Sequence, residues 1–318
     1  MTDDVEPPHP AEQVAPTHGV SQAAGVDLEL QGEVEPVVRA QWQLFLRRFV
    51  HHKMAVLSIV VLVLLFVVCF GARWIAPFPK NHQDLLLGPV RPGRKHWFGT
   101  DELGRDQLSE LLFAGQITLK IGVAVALIST LVGTALGALA GYFGRWADQL
   151  LMRLTDLFLV VPAIAILAIA IKKFGNHDST IIFVLAALGW MYIARIVRAQ
   201  VLSIKEKEFV DAARASGASN ARIIVRHILP NTIGPIVVNA TLGIAAAVVT
   251  ESTLSFLGFG VQPPTTSWGR MLADAEGTVG TDKAYLIYFP GLFLLITILA
   301  VNYIGDGLRD AFDPQAKR

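Results

Sequence analysis

The sequence predicts an all-α, polytopic membrane protein with six transmembrane helices and both termini in the cytoplasm. Of its 318 residues, 53% are hydrophobic and 17% are charged, and the mean hydropathy is +0.50. This balance is too apolar for an ordinary soluble domain. Apolar runs long enough to cross a bilayer recur along the chain. Helices are expected because a lone segment in lipid must satisfy its own backbone hydrogen bonds.

Six runs meet the length requirement, although two of them are less clear than the others. Arg153 and Asp156 interrupt the start of the third run, and the fourth run is short. Pro162 lies inside the third run, where it removes a backbone hydrogen bond and predicts a kinked helix. The predicted spans are residues 54–72, 117–142, 150–171, 181–197, 233–250 and 285–304.

The remaining segments divide the chain around these spans. Residues 1–40 are rich in Pro, Glu, Asp and Gln and have no apolar core, which predicts a disordered tail and no signal peptide. The predicted segments after it are an N-terminal region with the first span (41–72), an extracytoplasmic segment (73–116), a core with five spans (117–304) and a cytoplasmic tail (305–318).

The distribution of Lys and Arg sets the predicted orientation. Positive residues precede the first span, follow the second and sixth, and are most numerous between the fourth and fifth. The positive-inside rule assigns these segments to the cytoplasm. Residues 72–116 run against the rule with six Lys or Arg, partly offset by acidic side chains. Between the fourth and fifth spans the positive residues are Arg195, Arg198, Lys205, Lys207, Arg214, Arg222 and Arg226.

Charge and cysteine content exclude several classes of function. A net charge of +1 gives no reason to expect a nucleic-acid partner. Cys69 is the only cysteine, so neither an intrachain disulfide nor a cysteine-based metal site is expected.

Glycines recur at every fourth position near the end of the second span. Gly133, Gly137 and Gly141 share one stripe of the helix, where a neighbouring backbone can approach closely. We predict a helix-packing face there, although glycine is generally enriched in membrane helices.

The most informative polar segment is the loop of residues 205–230. Phe209, Ala212 and Ala213 recur at helical spacing and predict a short helix with a small-residue face. A surface helix that anchors on lipid headgroups is the simpler interpretation. Two helices with a glycine corner are more elaborate than lipid contact requires, which favours docking to a partner.

The second half of this loop predicts a corner followed by another helix. Gly217 predicts a turn in the left-handed region, and Ser219 or Asn220 can cap the next helix. Pro230 is expected to end that helix, because the residue before a proline disfavours the helical region. His227 lies on its half-apolar face and is interpreted as structural.

This loop resembles the EAA loop of the membrane subunits of bacterial ABC importers. In that family a Glu-Ala-Ala triplet is followed by three residues, a glycine, nine residues and Ile-x-Leu-Pro. Here Asp211 replaces the Glu and His227 replaces the usual Ile, and the peptide-transport branch commonly reads HILPN at that point. The matching positions are Ala212, Ala213, Gly217, Leu229 and Pro230.

Two further segments resemble signatures of the C-type permease of dipeptide, oligopeptide and nickel importers. Residues 98–106 read FGTDELGRD, which is similar to FGTDxxGRD. Residues 251–269 are similar to ESxLSFLGxGxQPPxxSWG, and the residues before the first span match the family's short N-terminal region. The resemblance covers residues 41–312, and three motifs in the right order on a six-span frame are highly specific.

The resemblance implies a type I ABC importer permease fold in the bacterial inner membrane, with a cytoplasmic coupling helix. It implies alternating access driven by two ATP-binding subunits, or by a fused one. Those subunits would bind ATP and Mg, since this chain has no GxxxxGK[ST] sequence and would be no enzyme. The other implied partners are a homologous B-type permease, an extracytoplasmic substrate-binding protein and the lipid bilayer. The residues implied in coupling are Phe209, Asp211, Ala212, Ala213, Gly217, His227, Leu229 and Pro230.

The segment after the fifth span supplies candidates for an outer gate. Its glycines and prolines predict a bent path, and irregular backbone near a membrane normally lines a cavity or packs on protein. We hypothesise that it contacts the partner permease or the docking binding protein. The candidates are Glu251, Ser255, Phe256, Gly258, Pro263, Pro264 and Trp268.

The candidate extracytoplasmic motif is Asp101, Gly104, Arg105 and Asp106. It is interpreted either as a charge cluster at the outer face or as a solvated helix start capped by Thr100 or Asp101. A metal site is not favoured, because no cluster of His or Cys accompanies the carboxylates.

Di- and oligopeptides are the favoured substrates, with nickel or another small solute as the alternative in the same family. A secondary transporter would bring inverted repeats and intramembrane ion sites. An intramembrane enzyme would carry HExxH, GxSxG or paired carboxylates inside a span. The sequence has no clear internal repeat and few charges deep in any span, and it has no HExxH, GxSxG or paired carboxylates inside a span. ATP-dependent, vanadate-sensitive uptake would separate the importer from both rivals.

Overall fold

Long apolar helices dominate residues 41–313, the part of the chain that the computed structural model describes. In chain order they are α1 Gln41–His51, α2 Lys53–Phe70, α3 Ala72–Ile75, α4 Gln107–Phe143, α5 Arg145–Val160, α6 Ala163–Phe174, α7 Asp178–Ile204, α8 Glu208–Ala215, α9 Asn220–Arg222, α10 Leu229–Phe256, α11 Trp268–Asp274 and α12 Tyr285–Phe312. A π-helix, Ile223–Ile228, joins α9 to α10. The described residues contain no β-strand, only one isolated bridge, so the all-α prediction is confirmed. The predicted tail of residues 1–40 and the last five residues lie outside the described part.

Five helical stretches are long and apolar enough to cross a membrane, namely α2, α4, α7, α12 and the continuous run Asn220–Phe256. The pair α5 and α6 makes a sixth if it is one span, and it bends by 83°. α5 follows the C-terminus of α4, and α6 precedes the N-terminus of α7. These two termini lie at opposite ends of the bundle, so α5 and α6 together run its length.

Pro162 explains the bend between α5 and α6. Val161 adopts an extended conformation with ψ 125°, as expected for a residue that precedes proline. Pro162 then begins α6 as its N-cap. The predicted kink is therefore a complete break in the helix, because neither residue continues the α-helical path.

Close helix contacts define which way each helix runs. The stripe of Gly133, Gly137 and Gly141 meets Trp190, Ala194 and Arg198 in the same order, so α4 and α7 are parallel. Gly122 and Ala126 of α4 meet Val248 and Gly243 of α10, and Gly305 and Phe312 of α12 meet Leu242 and Gly234. Both pairs of contacts run in opposite order, which makes α10 antiparallel to α4 and to α12. One end of the bundle therefore carries α8, and the opposite end carries α11. We call them the α8 end and the α11 end.

Several helices, α4 and α7 above all, are longer than the apolar runs that predicted them, whereas α2 ends at Phe70, two residues before the predicted end. α4 begins at Gln107, ten residues before the predicted span, because Asp106 caps it. The predicted extracytoplasmic segment 73–116 therefore includes the first helical turns of α4. The fifth predicted span, 233–250, lies within the continuous run Asn220–Phe256.

Candidate functional site

The loop of residues 205–230 is packed firmly onto the α8 ends of α4 and α7. Apolar side chains of the loop meet apolar side chains of both helices in one cluster. Each fully buried Val or Ile contributes roughly 1.5–3 kcal/mol, so the loop cannot move freely of the bundle. The cluster contains Ala138, Ile193, Val197, Val201, Val210, Ile223, Ile224 and Ile228.

The opposite face of α8 is open to solvent. Phe209 is 43% exposed, and Asp211 and Ala212 beside it are exposed while Ala213 is half-buried. Asp211 pairs with Arg214 at 2.7 Å, but both side chains are solvated, and such pairs contribute little to stability. The small-residue face predicted from the sequence is therefore accessible to another protein.

Gly217 forms the corner between α8 and α9. Its φ is +77°, and a Cβ at this position would meet no atom within 4 Å. The amide of Ala218 donates to the carbonyl of Ala213 at 3.1 Å, which closes the end of α8 as a left-handed C-terminal residue does. Ser219 then caps α9 by accepting from the amide of Arg222 at 3.4 Å.

Pro230 does not end the second helix, which corrects the prediction. The preceding turns form the π-helix, and the amide of Leu229 donates to the carbonyl of Ile224, five residues back. This wider turn accommodates a proline that lacks an N–H and crowds the carbonyl four residues before it. The loop consequently continues without a break into α10. His227 is half-buried in the π-helix and Leu229 is half-buried beside it.

Three further contacts near the α8 end were not predicted. Tyr142, near the end of α4, donates from its hydroxyl to Asn220 Oδ1 at 2.8 Å. Arg198 of α7 forms two hydrogen bonds with the carboxylate of Asp148 in α5. Arg195 of α7 donates one hydrogen bond to Asp156 Oδ1 of α5 at 2.5 Å. The only sequence signal for these two ion pairs was Asp156, which interrupts the third apolar run.

A cavity of about 520 Å³ opens in the middle of the bundle, lined mainly by α4, α7 and α10. Most of the lining is apolar, and polar side chains interrupt it. Sequence reasoning did not find it, because its walls come from three separate spans. The polar members are Ser129, Thr130, Tyr192, Asn239 and Thr250.

The candidate outer-gate residues separate into a buried and an exposed group. Glu251 is fully buried and accepts from Ser255 Oγ at 2.6 Å. Ser255 Oγ in turn accepts from the amide of Val261 at 3.0 Å, which fixes the start of the bent segment. The exposed members are Phe256, Gly258, Pro263 and Pro264.

Trp268 is not available for contact with a partner. It is fully buried and its indole Nε1 donates to the carbonyl of Leu111 at 2.9 Å. Its amide donates to Thr118 Oγ1 at 3.1 Å. Trp268 instead anchors the segment to α4. Only the exposed residues of the segment remain candidates for contact with a partner.

The FGTDELGRD segment is a tight turn in which Gly99, Thr100, Gly104 and Asp106 are buried and Glu102 and Leu103 are exposed. Asp101 accepts from the amides of Leu103 and Arg105, each at 2.9 Å. Gly104 has φ +68°, and a Cβ there would overlap the carbonyl oxygen of Asp84. The interpretation as a solvated helix start capped by Thr100 or Asp101 is wrong.

Asp106 caps α4 instead, and it is only 3% exposed. Its Oδ2 accepts from the Ser109 amide at 2.9 Å, and its Oδ1 lies 2.8 Å from His96 Nδ1. Within residues 41–313, no group of three or more His, Cys, Asp or Glu side chains is placed to hold a metal ion.

Comparison with known proteins supplies the relatives of this architecture. Residues 133–318 match the family described as binding-protein-dependent transport system inner membrane component. Residues 40–89 match the N-terminal TM domain of oligopeptide transport permease C.

Individual relatives cover most of the chain. The oligopeptide transport system permease protein OppC of Mycobacterium tuberculosis is 41% identical over 278 residues, 86% of this chain and 94% of its own length. The protein of the same name from Haemophilus influenzae is 38% identical over 291 residues, 91% of each chain. A chain of the MetNI methionine ABC transporter, solved in inward-facing conformations, has a TM-score of 0.53 at 22% identity. The match covers 64% of this chain and 96% of that one, and it shows a shared fold.

Proposed function

Because the chain belongs to the family of binding-protein-dependent transport system inner membrane components, a multi-pass family of ABC importer permeases, we propose that it carries peptides through an ATP-driven importer. The peptide substrate is supported by relatives named for oligopeptide transport. One structural observation supports a coupling role above all others. The exposed face of α8 sits on a loop that is packed onto α4 and α7 and continues into α10.

In this proposal α8 lies in a groove of a cytoplasmic ATPase subunit. Ala212 and Ala213 allow close approach, Phe209 supplies an apolar anchor, and the turn at Gly217 leaves the groove. Closure of two ATPase subunits then moves α7 and α10 together as rigid bodies. The ATPase subunits bind ATP and Mg, which this chain lacks the P-loop to do.

A homologous B-type permease completes the translocation path, and an extracytoplasmic binding protein delivers the peptide to it. The cavity between α4, α7 and α10 forms this chain's share of the path. Its mostly apolar wall with scattered hydroxyl and amide groups suits peptides of varied sequence, because it offers few fixed charges that would select one side chain.

Replacing Gly217 by Trp tests the coupling role. A Trp at this corner points into open space, so we expect normal expression and assembly but no ATP-dependent uptake of a labelled peptide. Gly217→Ala is the matched control, since it carries the same unfavourable φ without the bulk and should retain most of the uptake. Normal uptake by correctly inserted Gly217→Trp protein would reject the coupling role.

The transport class is tested separately with the reconstituted complex. We expect uptake of labelled di- and oligopeptides to require co-expressed ATPase subunits and to stop when vanadate is added. Uptake that persists without those subunits would identify a secondary transporter instead.

A further inference from the structure

A second cavity, lined mainly by polar residues, lies at the α11 end. It is separate from the cavity between α4, α7 and α10 and has no role in the proposed coupling. Its volume is about 620 Å³, within the range of roughly 300–1,000 Å³ that small-ligand sites occupy. Its walls come from Asn81 and Gln83, the turn at residues 101–107, α11 and the first residues of α12. Glu110, in the first turn of α4, and Pro263, Pro264 and Thr266, from the candidate outer-gate segment after α10, complete the lining.

Glu110 differs from the other acidic side chains of this cavity because it has no ion-pair partner among the described residues. Of the other lining carboxylates, Asp101 pairs with Arg105 at 2.6 Å and Asp274 pairs with Arg270 at 2.8 Å. Glu102 pairs with Lys283 at 2.7 Å. Each of these acids is therefore balanced, whereas no ion pair of Glu110 is found in residues 41–313.

The carboxylate of Glu110 is buried and only half satisfied. The residue is 4% exposed, and its Oε1 accepts from the Asn81 amide at 2.9 Å. Its Oε2 has no hydrogen-bond partner among the described residues. An unpartnered buried carboxylate oxygen is costly, so the arrangement favours a donor supplied from outside the chain.

We propose that this cavity binds the amino-terminal ammonium group of a peptide, with Glu110 Oε2 as its acceptor. The inference rests on the proposed function, which supplies the peptide. An ammonium group brings three donors and a positive charge, and charge-assisted bonds of this kind are about twice as strong as neutral ones. Arg270, whose Nε also lacks a partner among the described residues, supplies a donor for an oxygen of the same peptide.

The depth of Glu110 favours a small ligand over the surface of a docking protein. A docking surface would engage exposed, solvated charges such as those of Glu102 and Lys283 at the rim. The cavity is also larger than one side chain, so a lysine reaching in from another protein would leave it partly empty.

The test is equilibrium binding of radiolabelled trialanine to the purified complex, without binding protein or ATP. We expect Glu110→Gln to weaken binding about tenfold, the loss of one charge-assisted contact. N-acetyltrialanine, which lacks the ammonium group, should bind the wild-type complex as weakly as trialanine binds the Glu110→Gln complex. This second measurement uses only wild-type protein, so it does not depend on whether the variant folds. Glu102→Gln is the matched control, since that carboxylate lines the same cavity but is exposed and paired, and its effect should stay within about twofold.

Two results would overturn the inference. The first is equal binding of trialanine and N-acetyltrialanine by the wild-type complex. That result would show that Glu110 Oε2 accepts no hydrogen bond from the peptide ammonium group and is satisfied by a bound water instead. The second is Glu110→Gln weakening only the affinity of the binding protein for the complex, which would make the cavity a docking contact. Failure of the proposed function is distinguishable, because the wild-type complex would then show no ATP-dependent peptide uptake.

Discussion

Single residues decide whether the turns at the α11 end can form, and Gly104 is the strictest case. Its φ of +68° and its contact with the Asp84 carbonyl oxygen exclude a side chain on two independent grounds. Gly104→Ala should lower the free energy of unfolding by more than about 1 kcal/mol, measured as a lower thermal midpoint of the purified protein in detergent.

Gly277→Ala provides the control for that substitution. Gly277 lies at the same end in a short 3-10 helix, Glu276–Thr278, and a Cβ there meets nothing within 4 Å. Its midpoint should match the wild type, and an equal loss in both variants would show that the Asp84 contact does not matter.

Residue-level prediction succeeded where the cause is local and failed where it is distant. Gly217 was predicted to turn in the left-handed region because local sequence alone selects glycine there. Trp268 looked like a surface residue, since its partners Leu111 and Thr118 are about 150 positions away in the chain. The cap of α4 was misplaced because Thr100, Asp101 and Asp106 are all acceptable caps by type. The choice of Asp106 depends on the fold of the preceding turn.

At the scale of elements, the glycine stripe of α4 sets how closely α7 can approach. A Cβ at Gly133 would lie 2.6 Å from the Trp190 carbonyl oxygen, and one at Gly141 would lie 2.9 Å from that of Arg198. Gly137→Leu should therefore push the two helices apart and destabilise the protein by about 1–3 kcal/mol, read from thermal unfolding of the purified protein.

Gly243→Ala in α10 is the corresponding control, because its nearest neighbour is the Ala126 Cβ at an ordinary 3.8 Å. If Gly137→Leu and Gly243→Ala unfold at the same temperature, the parallel packing of α4 and α7 does not depend on the stripe.

The ion pair between Arg198 and Asp148 joins α5 to α7 near the α8 end. Both partners are partly buried and the pair forms two hydrogen bonds, so it should contribute more than a fully solvated pair does. A double-mutant cycle with Asp148→Ala and Arg198→Ala should give a coupling energy of about 1 kcal/mol. A coupling energy indistinguishable from zero would show that α5 is held by apolar contacts alone.

Element boundaries were predictable only where composition changes at the same residue as the backbone. The apolar runs located the five long candidate spans and the bent pair α5 and α6. Even so, α4 and α7 extend past these runs into polar residues, because caps and packing, and not hydropathy, end a helix. The prediction that Pro230 ends a helix was wrong for a related reason. Its effect on a helix depends on the turn before it, and nothing in the local sequence distinguishes a π turn from an α turn.

At the scale of the whole molecule, the chain joins three spans at one end and leaves a cavity between them in the middle. The apolar cluster at the α8 end ties the loop to α4 and α7, and the loop runs into α10. The same three helices line the mid-bundle cavity. A displacement of α8 would therefore reach the cavity walls through rigid helices, which is the mechanical requirement of the proposed coupling.

That mechanism requires the α8 end to face the cytoplasm, and cysteine labelling tests this directly. Cys69 is the only cysteine and is buried, so the wild type should react little with a membrane-impermeant maleimide. Leu86 at the α11 end is fully exposed, and Leu86→Cys should be labelled in right-side-out vesicles. Ser216 is the exposed residue that follows α8, and Ser216→Cys should be labelled only in inside-out vesicles. The reverse pattern would place α8 outside the cell, where no ATPase subunit could reach it, and the coupling proposal would fall with the orientation.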